Sequence, residues 1–231
     1  MTSNVPESPS PADDAAQEAA DAIAAAAQTD GPTARKRPKP GERRVQILQA
    51  LATMLEQPGA ERITTAALAA RLEVSEAALY RHFASKAQMF EGLIEFIEQS
   101  VFGLINQLGE REPDATLRSR KLVTLLLQFG EKNPGMTRVM VGDALVFENE
   151  RLQQRMNLFF DKIESALRQN LRESSVVAGA ATPTVDAQAD ASVVTAFCVG
   201  RLQRFARSGF KRQPCENLDH SLSLLLPGGR L

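Results

Sequence analysis

The chain has 231 residues, 43% of them hydrophobic, and a formal net charge of -1, which excludes a protein that holds nucleic acid through an overall positive field. Its two cysteines, Cys198 and Cys215, are too few for a disulfide scaffold, so we expect reduced thiols, with a bridge between them as the weaker alternative. Because no apolar run reaches roughly 18 residues and no signal-peptide pattern opens the chain, we expect a soluble cytoplasmic protein without membrane contact.

Residues 1–41 differ from the rest of the chain, since they are rich in Ala, Pro, Asp, Glu and Ser and nearly free of large apolar side chains. Such a segment cannot bury enough surface to offset the entropy lost on ordering, so we expect a disordered tail. A basic cluster at and just beyond its end consists of Arg35, Lys36, Arg37, Lys39, Arg43 and Arg44. Because the cluster stands just before the first predicted helices, we favour an arm that contacts phosphates over a merely solvated run of charge.

The first helices follow directly after this tail. Apolar residues recur at helical spacing from residue 42 until Pro58-Gly59, which predicts one amphipathic helix. A short second helix is expected over residues 66–72, because strong helix formers follow Thr64 and Thr65, either of which can cap it.

A third helix is expected over residues 76–83, with Ser75 as its cap. Ser85 and Gln88 then have the spacing of a capping box, which opens a long amphipathic helix. We therefore expect a three-helix unit in residues 42–88.

The remaining chain, residues 89–231, keeps helical spacing and predicts a second helical domain. Turn signals fall at Asn133-Pro134-Gly135, after which a short helix can follow, and at the small polar segment 174–185, which we predict to be a loop. Further helices are predicted at residues 114–132, 148–173, 187–210 and 218–226. No segment alternates in the manner of a strand, so the fold class is all-α.

Residues 63–83, ITTAALAARLEVSEAALYRHF, meet the requirements of a helix-turn-helix. The alanines at the start of this segment allow the two helices to approach closely. The apolar side chains that can point inward and support the second helix are Leu68, Leu72, Val74, Leu79 and Phe83. The opposite side is left for the major groove of duplex DNA.

The candidate DNA contacts are small or hydrogen-bonding residues: Arg62, Thr64, Thr65, Ser75, Ala77, Ala78, Tyr80, Arg81, His82 and Lys86. The threonines and the charges of Arg62 and Lys86 suit phosphate oxygens, whereas the two alanines suit close approach to base edges. Tyr80 suits a phosphate or a thymine methyl group, with half-buried packing as the alternative. His82 could donate to a phosphate or be a structural histidine, and we expect Glu76 to serve the helix dipole rather than to read cytosine.

The segment VSEAALYRHFASKAQMFEGLIEFIE resembles the N-terminal domain of the TetR family of dimeric regulators, through its aromatic-x-x-Phe ending, the following Ser-Lys and the long fourth helix. The similarity continues through LIEFIEQS, QFGEKNPGMTRV and AFCVGRLQRFARSGFK, and covers about residues 41–212. The resemblance implies a TetR-like fold with a three-helix DNA-binding domain and a C-terminal helical dimerisation domain. One departure is Glu73, which stands where the family often has glycine at positive φ, at a cost of about 1 kcal/mol.

A dimer is expected because one short recognition helix buries too little surface to specify a site, whereas two copies can read a palindrome in double-stranded DNA. The TetR resemblance places the dimer interface on the two long C-terminal helices. The residues we predict there are Val194, Phe197, Gly200 and Leu202, with a purely intramolecular core as the alternative.

The C-terminal segments resemble those of a member of the family that controls cell division. This resemblance implies a second partner, the tubulin-like division protein FtsZ, bound through its C-terminal tail between the fourth and fifth helices. The residues that match are Phe96, Leu125, Lys132 and Asn133, although plain core packing would explain Phe96 and Leu125 equally well. Leu104 and Gln128 depart from the pattern. The resemblance thus predicts a homodimer that is associated with the nucleoid and blocks assembly of the division ring.

The main alternative is a ligand-responsive TetR-type transcriptional repressor with a small molecule in the C-terminal domain. An enzyme is disfavoured because the two histidines, His82 and His220, are far apart in sequence and no Cys/His cluster has metal-ligand spacing. No glycine-rich phosphate loop follows a strand. We therefore predict no cofactor and no metal.

Overall fold

A computed structural model of the chain describes residues 41–57 and 63–226. Within these residues the chain forms nine α helices and one 3-10 turn and has no β strand, which confirms the predicted all-α fold. The helices are α1 (Glu42–Leu55), α2 (Thr65–Arg71), α3 (Glu76–Tyr80), α4 (Lys86–Arg111), α5 (Ala115–Lys132), α6 (Pro134–Met140), α7 (Glu150–Val177), α8 (Pro183–Arg207) and α9 (Leu218–Leu225). The predicted disordered tail, the predicted stop at Pro58-Gly59 and Arg62 lie outside the described residues.

The first three helices share one small core. Helix α1 packs against α2 and α4, and α2 packs against α3. The buried side chains of this core are Ile47, Leu51, Leu55, Leu68, Leu79 and Phe83. Leu72 and Val74, which were also predicted to point inward, are half-buried. Helices as short as α2 and α3 are unstable alone, so their packing on α1 and α4 holds them in place.

Side-chain caps begin α2 and α4 at the predicted residues. Thr64 Oγ1 accepts a hydrogen bond from the N–H of Ala67 at 3.1 Å, and Ser85 Oγ accepts one from the N–H of Gln88 at 3.2 Å. The amide oxygen of Gln88 accepts from the N–H of Ala84 at 2.8 Å instead of from that of Ser85. The reciprocal half of the predicted capping box is therefore displaced by one residue.

The turn between α2 and α3 is tight. Glu73 adopts φ 54°, which confirms that this position requires the left-handed region in which glycine is favoured. The N–H groups of Glu73 and Val74 donate to the carbonyls of Ala70 and Ala69, respectively, so the backbone of the turn is bonded back onto α2. These bonds fix the start of α3.

Helix α3 is shorter than the predicted helix over residues 76–83. It begins after the Ser75 cap and ends at Tyr80. The N–H groups of His82 and Phe83 both donate to the carbonyl of Leu79, in a turn rather than a further helical segment. This turn places Phe83, only 1% exposed, in the core before α4 begins, and this burial explains why the helix stops early.

Helices α7 and α8 form an antiparallel hairpin, and the predicted loop over residues 174–185 is wrong in its length. Helix α7 continues to Val177, and α8 already begins at Pro183. Gly179 follows the end of α7 with φ 74°, which suits the position after a helix C-cap. Pro183 occupies the first turn of α8, where its missing N–H has no helical partner to lose. Helix α8 also ends earlier than predicted, at Arg207.

The two cysteines are free thiols, as predicted. Burial raises the pKa of the Cys198 thiol to about 12. Burial, together with the nearby carboxylate of Glu131, raises the pKa of the Cys215 thiol to about 12. In the part of the chain that the structure describes, no helix is both long and apolar enough to cross a membrane.

Candidate nucleic-acid interface

The described candidate DNA contacts on α2, α3 and the following turn lie at or near the surface. Tyr80 keeps 44% of its surface exposed, so it is not a core residue. His82 is exposed, which argues against a buried structural role for its side chain. The other candidates in this region, each exposed or half-buried, are Thr64, Thr65, Ser75, Ala77, Ala78 and Arg81. The two short helices thus present small and hydrogen-bonding side chains to solvent.

A chain of hydrogen bonds crosses from α3 to α2 on this surface. Thr65 Oγ1 donates to Glu76 Oε2 at 2.6 Å, and the Tyr80 hydroxyl donates to Thr65 Oγ1 at 3.4 Å. Glu76 was expected to serve only the helix dipole, yet its carboxylate holds a predicted DNA contact. This bond could not be predicted from the sequence, because the two residues lie on different helices.

Arg44 on α1 stabilises the turn that follows α3. Its Nη1 donates to the carbonyl oxygen of His82 at 2.8 Å, and its guanidinium lies 4.1 Å from the ring centre of Phe83. Sequence reasoning placed Arg44 in the basic cluster that would contact phosphates. The structure instead uses it to fix the turn after α3, and the nearby Arg43 bonds Gln46 on α1.

The side chain of Lys86 forms an ion pair with a glutamate of the same chain. Its ammonium forms an ion pair with Glu148 Oε1 at 2.5 Å and lies 5.7 Å from the ring centre of Phe90. The side chain of Glu148 is only 9% exposed. Lys86 can therefore contact a phosphate only if it exchanges this partner, which lies 62 residues further along the chain.

The four residues predicted at a dimer interface divide between the core and the surface of α8. Val194 and Leu202 are fully buried, and an added Cβ on Gly130 of α5 would lie 2.3 Å from Leu202 Cδ2. These two side chains fill the core of the single chain, which favours the intramolecular alternative for them. Phe197 and Gly200 are half-exposed, and Gly200 faces open space.

A different stripe of α8 is exposed in the single chain. It comprises residues three or four positions apart: Val185, Ala189, Val193, Ala196 and Gly200. Val185 is 69% and Val193 56% exposed, and Leu158 on α7 is 58% exposed. Of this stripe the predicted interface contained only Gly200, because both faces of α8 keep helical spacing and spacing alone does not distinguish the exposed face from the buried one.

Comparison with known proteins assigns both halves of the chain. A model of "Bacterial regulatory proteins, tetR family" matches residues 47–93, and one of "Tetracyclin repressor-like, C-terminal domain" matches residues 113–227. Nucleoid occlusion factor SlmA of Aliivibrio fischeri strain MJ11 is 52% identical over 193 residues, which are 81% of this chain and 96% of that protein. The factor of the same name from Escherichia coli O9:H4 is 54% identical over 178 residues, 77% of this chain and 89% of that protein. The chain belongs to the TetR family, on the branch of the SlmA proteins.

Solved structures of other TetR-type regulators share the fold. The regulator FadR from Bacillus subtilis, in complex with stearoyl-CoA, aligns with a TM-score of 0.64 at 15% identity and covers 80% of this chain and 99% of that one. A TetR-family regulator from Bordetella parapertussis aligns with a TM-score of 0.63 at 17% identity and covers 81% of this chain and 96% of that one. At these identities the similarity concerns the fold alone.

Membership of the TetR family gives the helix-turn-helix its role. The chain is a DNA-binding regulator and not an enzyme, and the family implies a dimer. The polar surface of α2 and α3 is accordingly the candidate DNA interface, and the exposed stripe of α8 is the candidate dimer interface.

The residues predicted to bind a protein partner lie on α4 and α5, which pack against each other. Phe96, Leu125 and Asn133 are half-buried, and Lys132 is exposed at the end of α5. The side-chain amide of Asn133 donates to the carbonyl of Phe129 at 2.8 Å, so this asparagine also closes the end of α5. The half-buried state of Phe96 and Leu125 is compatible with packing and with contact to a partner.

Proposed function

We propose that this chain is a nucleoid occlusion factor: a homodimer that binds palindromic sites in chromosomal DNA and blocks FtsZ assembly over the chromosome. The observation that carries the proposal is the identity of 52–54% to nucleoid occlusion factors through both the DNA-binding and the C-terminal regions. By contrast, the two TetR-type regulators of known structure compared above share only the fold, at 15% and 17% identity. The protein would accordingly be cytoplasmic and associated with the nucleoid.

Specific DNA binding is supported by the arrangement of α2 and α3. In a helix-turn-helix the N-terminal residues of the second helix meet base edges, while neighbouring polar groups contact phosphates. Ala77 and Ala78 leave room for base edges, and Thr64, Thr65 and Tyr80 supply hydroxyl groups at the surface. A two-fold dimer would present two such helices to half-sites about 34 Å apart, or a multiple of this distance.

Binding of FtsZ is supported by the surface where α4 meets α5. The half-buried Phe96 and Leu125 can offer apolar contact, and Lys132 a positive charge at the same end of α5 as Asn133. In this proposal the FtsZ tail lies between α4 and α5, away from the helix-turn-helix. DNA and FtsZ would then bind to separate surfaces of one dimer.

The proposal is tested by sedimentation of purified FtsZ polymer with the dimer, in the presence and absence of a palindromic duplex selected by the protein from a random library. We expect the DNA-bound dimer to lower the amount of polymer that sediments. Absence of FtsZ binding in both conditions would contradict the proposal. Mapping of bound sites in cells adds a second measurement, for which we expect sites scattered over the chromosome and absent near the replication terminus.

Lys132→Ala separates the two surfaces. We expect this variant to lose its effect on FtsZ polymer while its affinity for the selected duplex stays unchanged, because Lys132 lies on α5 and not on the helix-turn-helix. Lys162→Ala, which removes an exposed lysine from α7, is the matched control and should retain both activities. A loss of DNA affinity in Lys132→Ala would contradict this division of the surface.

A ligand-responsive transcriptional repressor is the second candidate, and one observation favours it. Arg120 on α5 is 3% exposed, and its Nε and Nη1 atoms are buried without a hydrogen-bond partner. Two buried guanidinium nitrogens without an acceptor are costly, so a small anion in the C-terminal domain would relieve this cost. This candidate predicts that a member of a panel of small carboxylates and phosphates releases the selected duplex. It also predicts that the bound sites lie in promoters.

A further inference from the structure

The hydrogen-bond chain on the candidate DNA-binding surface has one feature that DNA binding alone does not require, namely a carboxylate as its final acceptor. Glu76 Oε2 accepts from Thr65 Oγ1 at 2.6 Å. An ionised carboxylate can only accept, so the single hydroxyl hydrogen of Thr65 points to Glu76. Thr65 Oγ1 can then only accept from Tyr80, at 3.4 Å. Both hydroxyl hydrogens are therefore directed within the protein and away from solvent phosphates.

The position of Glu76 opposes binding to DNA in general. A phosphate can receive the hydroxyl hydrogen of Thr65 only by displacing the carboxylate, which is itself a charged acceptor of short, strong hydrogen bonds. The displaced carboxylate then remains exposed beside a second anion. Since contacts to phosphates supply most of non-specific affinity, a negative group here weakens binding to any duplex whose bases offer it nothing in return.

Cytosine can supply the displaced carboxylate with a new hydrogen-bond donor. In the major groove the exocyclic amino group of cytosine is a hydrogen-bond donor, and a glutamate side chain can accept from it. Glu76 is the first residue of α3, the part of a recognition helix that meets base edges. A duplex with cytosine at this place lets the carboxylate leave Thr65 without losing a partner, and the hydroxyl hydrogens of Thr65 and Tyr80 become available to the backbone.

We propose that Glu76 is a specificity-determining residue that holds the hydroxyl groups of Thr65 and Tyr80 away from the phosphates of non-specific DNA and releases them where a cytosine amino group meets its carboxylate. This inference rests on the proposed DNA-binding function and adds the residue by which specific and non-specific duplexes are distinguished. A role limited to the helix dipole would instead affect the folding of α3 and change the affinity for all duplexes by one factor.

The test compares Kd values of the full-length dimer for a duplex selected by the wild-type protein and for a scrambled duplex of equal length and composition, by fluorescence anisotropy at fixed salt. In Glu76→Gln, we expect tighter binding of the scrambled duplex and unchanged or weaker binding of the selected one, so that the ratio of the two Kd values falls by about 5- to 100-fold. A new selection with this variant should lose a cytosine preference at one position in each half-site. Circular dichroism checks that its helix content is unchanged.

Two further variants separate this role from charge and from the helix dipole. Glu150→Gln removes one carboxylate from the start of α7, where it contacts Gln154, and should leave the ratio unchanged. Glu76→Asp keeps a negative charge at the start of α3 but is one methylene shorter, so we expect its ratio to fall towards that of Glu76→Gln.

The outcomes distinguish the inference from the function on which it rests. An unchanged ratio in Glu76→Gln, or an equal loss of affinity for both duplexes, overturns the role of Glu76 and leaves specific DNA binding intact. Failure of the wild-type protein to select any duplex overturns both, because no specificity would then exist for Glu76 to determine.

Discussion

The helix-turn-helix and the hairpin of α7 and α8 use their exposed faces in opposite ways. The helix-turn-helix buries a few apolar side chains and exposes hydroxyl, charged and very small residues, several of them bonded to one another. The hairpin buries one continuous apolar stripe and exposes another, along Val185 and Val193. A polar face on short helices suits a highly charged ligand, whereas an apolar face on long helices suits a second copy of the same helices.

The largest effect that would sharpen this comparison is expected at Val193. Val193→Asp places a carboxylate in the middle of the exposed stripe, and burial of an unpaired charge at a dimer interface costs several kcal/mol. We expect dimer dissociation to increase by about 100-fold or more, as measured by sedimentation equilibrium. Val146→Asp makes the same change at a valine that is 64% exposed and lies between α6 and α7, away from the stripe, and is the matched control. Equal behaviour of the two variants would place the dimer interface elsewhere.

The packing of α6 against α1, the first helix of the DNA-binding domain, can be measured with a pair of glycines, one in close contact and one facing open space. In Gly135→Ala the new Cβ would lie 2.0 Å from the carbonyl oxygen of Ala52, which is backbone and cannot move aside cheaply. We expect a loss of about 1–3 kcal/mol in unfolding free energy, because α6 would be pushed from α1. Gly103→Ala on α4 meets open space and should stabilise the protein by about 0.5–1 kcal/mol through helix propensity. Chemical denaturation measures both, and similar values for the two would contradict the close packing of α6 on α1.

A third effect concerns the polar face itself. Thr65→Ala or Tyr80→Ala should weaken binding of a selected duplex by about 1–3 kcal/mol, because each loses a contact to DNA, and should leave the dimer intact. Affinity should fall steeply with salt in all variants, since the remaining phosphate contacts still release counterions. The Kd is measured by anisotropy, and Ala189→Ser on the α8 stripe serves as a conservative control that should leave it unchanged. Unchanged affinity in both alanine variants would exclude this docking surface.

What could be predicted from the sequence depended on whether a feature is local or set by tertiary packing. Local features were predictable because they depend on neighbours in the chain: the caps at Thr64 and Ser85 and the helical spacing of the long helices. The positive φ of Glu73 was expected from the TetR resemblance. Features that depend on tertiary packing could not be predicted. The end of α3 at Tyr80 follows from the burial of Phe83, and the pairing of Lys86 with Glu148 joins residues far apart in sequence.

The residues predicted for the dimer interface illustrate most clearly what helical spacing alone cannot predict. Helical spacing identifies two faces on α8 but not which of them meets the core of the same chain. Val194 and Leu202 were assigned to the interface, whereas packing against α5 and α7 buries them within the chain. Only the tertiary arrangement shows that the face of small residues with Val193 is left exposed.

The smallest expected effect lies at the turn from α4 to α5, which leads from the DNA-binding region to the hairpin. Lys121 Nζ donates to Glu112 Oε2 at 2.7 Å, and this hydrogen bond holds the pKa of the Glu112 carboxyl below its usual value of 4.5. The N–H of Asp114 donates to the same side chain. The start of α5 is in turn joined to α7 by the bond from Arg118 Nε to Asn170 Oδ1 at 2.8 Å.

Because the folded-state pKa of Glu112 is lowered, the charged form contributes stability at neutral pH, and this contribution is lost as the pH falls through the lowered value. The partly exposed lysine limits its size to less than about 1 kcal/mol. We therefore expect Lys121→Met to lower the Tm slightly at pH 7, and the difference from the wild type to vanish on acidification below pH 4.5, as followed by circular dichroism. A difference that persists unchanged in acid would mean that Lys121 acts through packing of its stem rather than through this ion pair. If the helix-turn-helix and the hairpin of α7 and α8 are independent, Lys121→Met should bind the selected duplex at neutral pH with wild-type affinity. A weaker affinity would show that the α4–α5 turn couples the hairpin to the helix-turn-helix.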